Sequence, residues 1–388
     1  MPEHTARAPR TSSSRKNPQV LEGFAGPGGW SEAARMIGLH DVLGIELNAD
    51  ACATATAAGH RRLHADIRDL NPEDLIGVVG WISSPPCPTY TAAGLRSGIA
   101  DQPHVLEGCT LLGDSYATGN GDHQVVYRQV TDERTALVLE TLHFAFRLPD
   151  VQWVVAEQVP AVAPIWMDMA AELAMAADFA SCNVLTLRAD DFGAATRRKR
   201  TFLIATRNRD PNLARMPIRE WWACGRFEPP HQRMPHPVTP LPATSMAKAL
   251  GWPAAVRINT RGDRRTPGGN EFSADRPAPS LTSRARTWYR TDLGPAVGRL
   301  TPSQAGLLQG FPPDYPWQGS RTSQFQQVAD TVSPLVGAAV LGAVTGLPWQ
   351  DAVWARLADL YGHERPAEPQ LRSCMTDAGQ LDLFAEVA

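Results

Sequence analysis

Between residues 20 and 206, short apolar runs recur and are separated by stretches with helical spacing of apolar positions. The runs at 20–24, 42–46, 61–65, 78–82, 152–156, 183–187 and 201–206 are bounded by Gly, Pro, Asp or Asn and predict strands. Helices are predicted over 31–39, with Ser31 as N-cap, and over 48–58, with Gly59 as its stop. Two more are predicted over 132–146 and 165–177. This alternation predicts an α/β fold built on a Rossmann-like, doubly wound, mostly parallel sheet. It is interrupted at 95–130, where Gly108, Gly113, Gly119 and Gly121 predict an irregular insertion of the kind that forms lids. Residues 1–18, rich in Ser, Pro, Arg and Lys, read as a flexible leader.

The stretch 80–94 carries the most pointed chemistry. Pro85 and Pro86 fix φ and cannot extend a ladder, so the preceding strand stops there and leaves Cys87 at its carboxyl end. Reactive groups of open α/β sheets sit at that edge, which makes Cys87 a candidate nucleophile; the alternative is a small buried apolar residue. The segment Phe24, Ala25, Gly26, Pro27, Gly28, Gly29, Trp30 is a tight loop between a strand and a helix, although it departs from G-x-G-x-x-G. Glu46 and Asp66 end the next two strands, where a ribose diol and an adenine amino group would find acceptors. Glu157 ends a later strand, and Arg197, Arg198, Lys199 and Arg200 form a basic cluster before another.

Composition narrows these readings. Six cysteines without a C-x-x-C pair argue against a disulfide scaffold or a zinc ribbon, and they suit a reducing cytoplasm. No apolar run approaching a membrane span is expected, and the N-terminus lacks a signal-peptide core. The formal charge is only -3, but 257–290 holds eight arginines against three carboxylates, a local excess of positive charge.

Taken together, the motifs resemble the DNA cytosine-C5 methyltransferases. The 24–29 loop is similar to the family's cofactor loop, Pro85-Pro86-Cys87-Pro88 to its nucleophile motif, and Glu157-Gln158-Val159 to its Glu-Asn-Val motif. The 196–200 cluster is similar to the Gln-x-Arg-x-Arg motif, 299–313 to the helix after the variable region, and 327–334 to the closing Gly-Asn-Ala-Val-Pro element. Pro88, Gln158, Thr196 and Asp330 depart from the usual Gln, Asn, Gln and Asn.

The resemblance implies S-adenosylmethionine as cofactor, held by Phe24, Gly26, Gly28, Gly29, Trp30, Glu46, Leu47, Asp66, Ile67, Pro85 and Asp330. It implies Cys87 as nucleophile, with Glu157, Arg198 and Arg200 stabilising the attacked ring, and requires no metal. The substrate would be a flipped-out cytosine in double-stranded DNA, under a loop at 88–100. A catalytic unit would cover 19–207 and resume at 299–362, around a smaller target-recognition unit at 208–298. There Arg257, Arg261, Arg264, Arg265, Arg284 and Arg286 would meet DNA. A cytosine-C5 RNA methyltransferase and a non-catalytic DNA-binding relative are the alternatives; a nicotinamide dehydrogenase would leave Cys87 unexplained. The implied setting is the nucleoid of a bacterium, or a phage gene, with a monomeric enzyme that acts alone or beside a restriction nuclease. In the 363–388 tail, Gln380, Leu381, Asp382, Leu383 and Phe384 resemble the peptide that docks on sliding clamps.

Overall fold

The computed structural model describes residues 18–86, 90, 97–118, 122–225, 238–260 and 271–366. Seven of its strands follow the apolar runs: β1 (Val20–Gly23), β2 (Val42–Glu46), β3 (Arg61–His64), β4 (Gly80–Ser83), β5 (Trp153–Gln158), β6 (Ser181–Arg188) and β7 (Lys199–Thr206). An eighth, β8 (Glu220–Cys224), completes a sheet of order β3-β2-β1-β4-β5-β7-β6-β8. Pairing is parallel from β3 through β5, while β7 runs antiparallel to both β5 and β6, and β8 antiparallel to β6.

Alternate residues of the central strands enter opposite apolar layers. Val20, Ile82, Trp153 and Val155 face one layer and Leu21, Trp81, Val154 and Ala156 the other. Burial on both faces is why these strands read as continuous apolar runs. The first layer is closed by α1 (Gly29–Met36) and the helices Pro334–Thr345 and Gln350–Tyr361, the second by Gln102–Thr118, Glu140–Arg147 and Ala163–Ala176. α2 (Ala49–Ala57) is capped by the Asn48 side chain, which accepts from Ala51 N.

Several elements differ from the sequence expectations. The described part of the 95–130 stretch is largely helical rather than irregular: its 17-residue helix Gln102–Thr118 buries Val105, Cys109 and Leu112. Two of its glycines, Gly108 and Gly113, are packing contacts. A Cβ on Gly108 would lie 2.6 Å from Leu139 Cδ1, and one on Gly113 would run into the Glu172 carboxylate. The helix expected over 132–146 is broken into Glu133–Ala136, a tight turn at Leu137–Leu139, and Glu140–Arg147. α1 starts two residues early, with Gly28 rather than Ser31 at its cap. Residues 321–345 do contain an 18-residue window with the length and apolarity of a membrane span, contrary to expectation, but 89% of that window is buried, and the segment forms the core helices Arg321–Asp330 and Pro334–Thr345.

A second sheet has order β10-β9-β11, from β9 (Arg257–Asn259), β10 (Glu271–Ser273) and β11 (Tyr289–Arg290). Ile258, Ala274, Ala278 and Trp288 of this region join the same apolar layer as Leu300, Phe311 and Leu335. β8, also inside 208–298, belongs instead to the large sheet. The leader up to residue 17 and the tail from 367, including 380–384, lie outside the described residues.

Candidate active site

The carboxyl edge of the parallel strands gathers two clusters. The first is the turn after β1. Phe24 takes a positive φ of 56°, a conformation uncommon for a bulky residue, and Gly28 has φ 112° at the N-cap of α1. Glu46, at the end of β2, accepts hydrogen bonds from Gly26 N at 2.7 Å and Asn48 N at 2.6 Å. Two of the roughly four bonds a carboxylate can accept are thereby used. Leu47 beside it is 62% exposed, an apolar side chain left in the open. Trp30 is buried and donates from Nε1 to Ser84 Oγ at 2.9 Å, tying the loop to the chain just before Pro85.

Asp66 is engaged locally. Its carboxylate accepts from Arg68 N, Nε and Nη2, and these bonds hold its pKa below the usual range. Ile67 next to it is buried.

The second cluster is Glu157, Arg198 and Arg200. Glu157 is 3% exposed near the end of β5; Arg198 is buried just before β7, and Arg200 lies within β7. The antiparallel pairing of β7 with β5 explains the convergence, since it brings the start of β7 to the end of β5. Arg200 Nε lies 3.0 Å from Glu157 Oε1, and Arg198 Nη2 lies 4.0 Å from the same oxygen. Glu157 Oε1 and Arg198 Nε nevertheless make no hydrogen bond with any described residue. Burial first, and then the Arg200 charge, push the Arg198 pKa down to about 9, so it remains cationic at neutral pH.

A third segment joins the clusters. Arg198 Nη1 donates to Ala329 O at 2.6 Å, and Thr331 and Val332 press on Gly29, where a Cβ would lie 2.5 Å from Val332 O. Asp330 ends the helix Arg321–Asp330 between these contacts, its carboxylate bonded by Gln326 Nε2 at 2.6 Å. Gln158 is one of the four departures whose role the sequence left open. It donates to Pro85 O at 2.6 Å and accepts from Val159 N, pinning the buried Pro85. Thr196 Oγ1 donates to Pro279 O at 3.2 Å and contacts the region of the small sheet instead. Cys87, Pro88, Arg261, Arg264 and Arg265 lie outside the described residues. Arg257 pairs with Glu271 at 2.9 Å, Arg284 is exposed, and Arg286 donates to Ser283 O.

Residues 19–110, which hold the glycine loop, Glu46, Asp66 and the proline pair, match the C-5 cytosine-specific DNA methylase family. That match covers 19–110 alone, about a quarter of the chain. No curated protein matches the chain. Solved structures share the class I methyltransferase fold. An E. coli prophage-encoded protein described as a DNA modification methyltransferase aligns with TM-score 0.51 at 17% identity, over 84% of this chain and 98% of its own. A mutant of Spodoptera frugiperda DNMT2 gives 0.52 at 15%, over 84% and 98%. S. pombe Dnmt2 methyltransferase gives 0.54 at 13%, over 85% and 98%.

The methylase family uses S-adenosylmethionine, and the residues here fit it. Space is open where Gly26 would carry a Cβ, Glu46 retains acceptor capacity for a diol, and Leu47 offers an apolar face. Asp66 fits less well as a free acceptor, since Arg68 already occupies it.

Proposed function

We propose that the protein transfers a methyl group from S-adenosylmethionine to C5 of a flipped-out cytosine in duplex DNA, through a covalent bond between Cys87 and C6. One juxtaposition carries the reading: a buried carboxylate flanked by two arginines, beside the pinned backbone that leads through Pro85 into Cys87.

Carbon 5 of cytosine is a weak nucleophile. Addition of a thiolate to C6 forms a C–S bond and moves the C5–C6 π electrons toward C5 and the ring heteroatoms, and thiolate is the nucleophile suited to this near neutral pH. Glu157 donates to or stabilises N3, while Arg198 and Arg200 offset negative charge on the O2 side. Glu46 and the loop around Gly26 would hold the cofactor. When bound, S-adenosylmethionine supplies the electrophilic methyl group. The C5 proton then passes to solvent, the C5–H electrons re-form the C5–C6 double bond, and the C6–S electrons return to Cys87 as thiolate while the ring regains aromaticity.

A base stacked in a duplex cannot offer C6 to a thiol, so the target nucleotide must leave the stack. Residues 208–298 are proposed as the target-recognition region, with Arg257, Arg284 and Arg286 supporting phosphate and guanine contacts. The test is transfer of labelled methyl groups to duplex DNA and to RNA, read by bisulfite sequencing, with wild type and Cys87→Ala. Label on DNA cytosine, abolished by Cys87→Ala while S-adenosylmethionine still binds, is the expected result. Undiminished transfer by the variant would falsify the covalent step, and label on RNA alone would remove the DNA reading.

A further inference from the structure

A row of three residues crosses the first three strands beneath the glycine loop. Glu22 of β1 is in register with Gly44 of β2, and Gly44 with Arg62 of β3. Residues in one such row project to the same face, and neighbouring strands lie about 4.8 Å apart. With no side chain on Gly44, the Arg62 side chain lies over β2 and is only 2% exposed. A Cβ on Gly44 would run into Arg62 Nη1 and sit 2.7 Å from Ala25 Cβ.

The Arg62 guanidinium ends beneath the loop. Nη2 donates to Ala25 O and Nε to Gly26 O, both at 3.4 Å; Nη1 donates to Ser31 Oγ at 3.1 Å and to Arg61 O at 3.0 Å. Glu22 Oε2 is 3.8 Å from Nη2 and accepts from Ser31 Oγ at 2.7 Å. The peptide between Ala25 and Gly26 is thus held from two sides, its carbonyl by Arg62 and its N–H by Glu46. Because a trans peptide is planar, fixing both groups fixes the plane.

We infer that Arg62, passing through the gap left by Gly44, is a positioning residue for the cofactor: it sets the Ala25–Gly26 turn and, through that turn, the Glu46 carboxylate. This rests on the S-adenosylmethionine reading. Lysine at this position keeps a charge opposite Glu22 but cannot reproduce the planar fork that serves several acceptors at once.

Equilibrium binding of S-adenosylmethionine by calorimetry, on the full chain, tests the inference. Wild type binds; Arg62→Lys and Gly44→Ala each bind at least tenfold more weakly, and the KM for DNA stays unchanged. Hydrogen exchange at the Gly26 amide speeds up in both variants without cofactor present. Where either single variant fails to fold, the pair Glu22→Gln with Arg62→Met removes both buried charges together and is measured instead. Cofactor affinity within twofold of wild type in a folded variant overturns the inference. Wild type that binds no S-adenosylmethionine overturns the cofactor reading itself, a separate outcome.

Discussion

The two clusters at the sheet edge differ in how their polar groups are satisfied. On the loop side, Glu46 accepts two backbone N–H groups, and Arg62 serves three carbonyls and Ser31. On the other side, Glu157 Oε1 and Arg198 Nε are buried without a hydrogen bond from the described residues, although their charges face one another. An unmade hydrogen bond in a buried site costs about 1–3 kcal/mol, more for a charged group. The loop side also leaves one buried oxygen, Glu22 Oε1, without a hydrogen bond, but its turn is held on both sides by Glu46 and Arg62, whereas the Glu157 side keeps polar capacity facing the proposed base. Pre-set donors and acceptors of this kind act with little reorganisation during reaction.

The contrast breaks most clearly at Glu157. Glu157→Gln keeps the shape and removes the acid, and transfer is expected to fall about 10²- to 10⁴-fold. Calorimetric affinity for S-adenosylmethionine should stay within error of wild type. A matching loss of cofactor affinity would show that the two sides are one unit.

A second prediction sharpens the loop side. His60 lies 3.2 Å from Glu32 Oε1, and burial, followed by the charges of Arg35 and Arg62, lowers its pKa from 6.5 to about 4. The folded state then refuses a proton that the unfolded chain accepts below pH 6.5. Stability from this residue is complete above pH 6.5 and is lost as pH falls toward 4. At about 1.4 kcal/mol per pKa unit the loss is bounded at ~3.5 kcal/mol. Urea melts between pH 7 and 4 should show His60→Asn losing stability less steeply than wild type; parallel curves would contradict it.

The scaffold was more legible in sequence than the site's connections. β2 runs over the residues expected, 42–46, because an apolar run packed on both faces, Val42 against one layer and Leu43 against the other, and closed by an acidic residue leaves little ambiguity. The helix Gln102–Thr118 escaped notice because Gly108 and Gly113 look like chain breaks when their packing partners, Leu139 and Glu172, are unknown. The row of Glu22, Gly44 and Arg62 was hidden for a related reason, since register between strands far apart in sequence is a property of the sheet. Glu157 and the arginines were readable as motifs, but their approach depends on β7 lying antiparallel beside β5.

The smallest expected effect falls where the two clusters meet. Gln158 stands where the family it resembles carries Asn, and its longer side chain reaches Pro85 O. Gln158→Leu keeps similar bulk but leaves that carbonyl without its donor, at a cost of about 1 kcal/mol. If the bond serves only stability, the melting temperature drops and the turnover of folded enzyme is unchanged. If it aims the backbone entering Cys87, kcat falls about fivefold while cofactor affinity stays constant, because the contact belongs to the chain leading into the proposed nucleophile and not to the glycine loop. The second outcome is expected. Pro85 is already restricted in φ, so beyond its share of stability the hydrogen bond to its carbonyl fixes the direction in which the chain leaves β4.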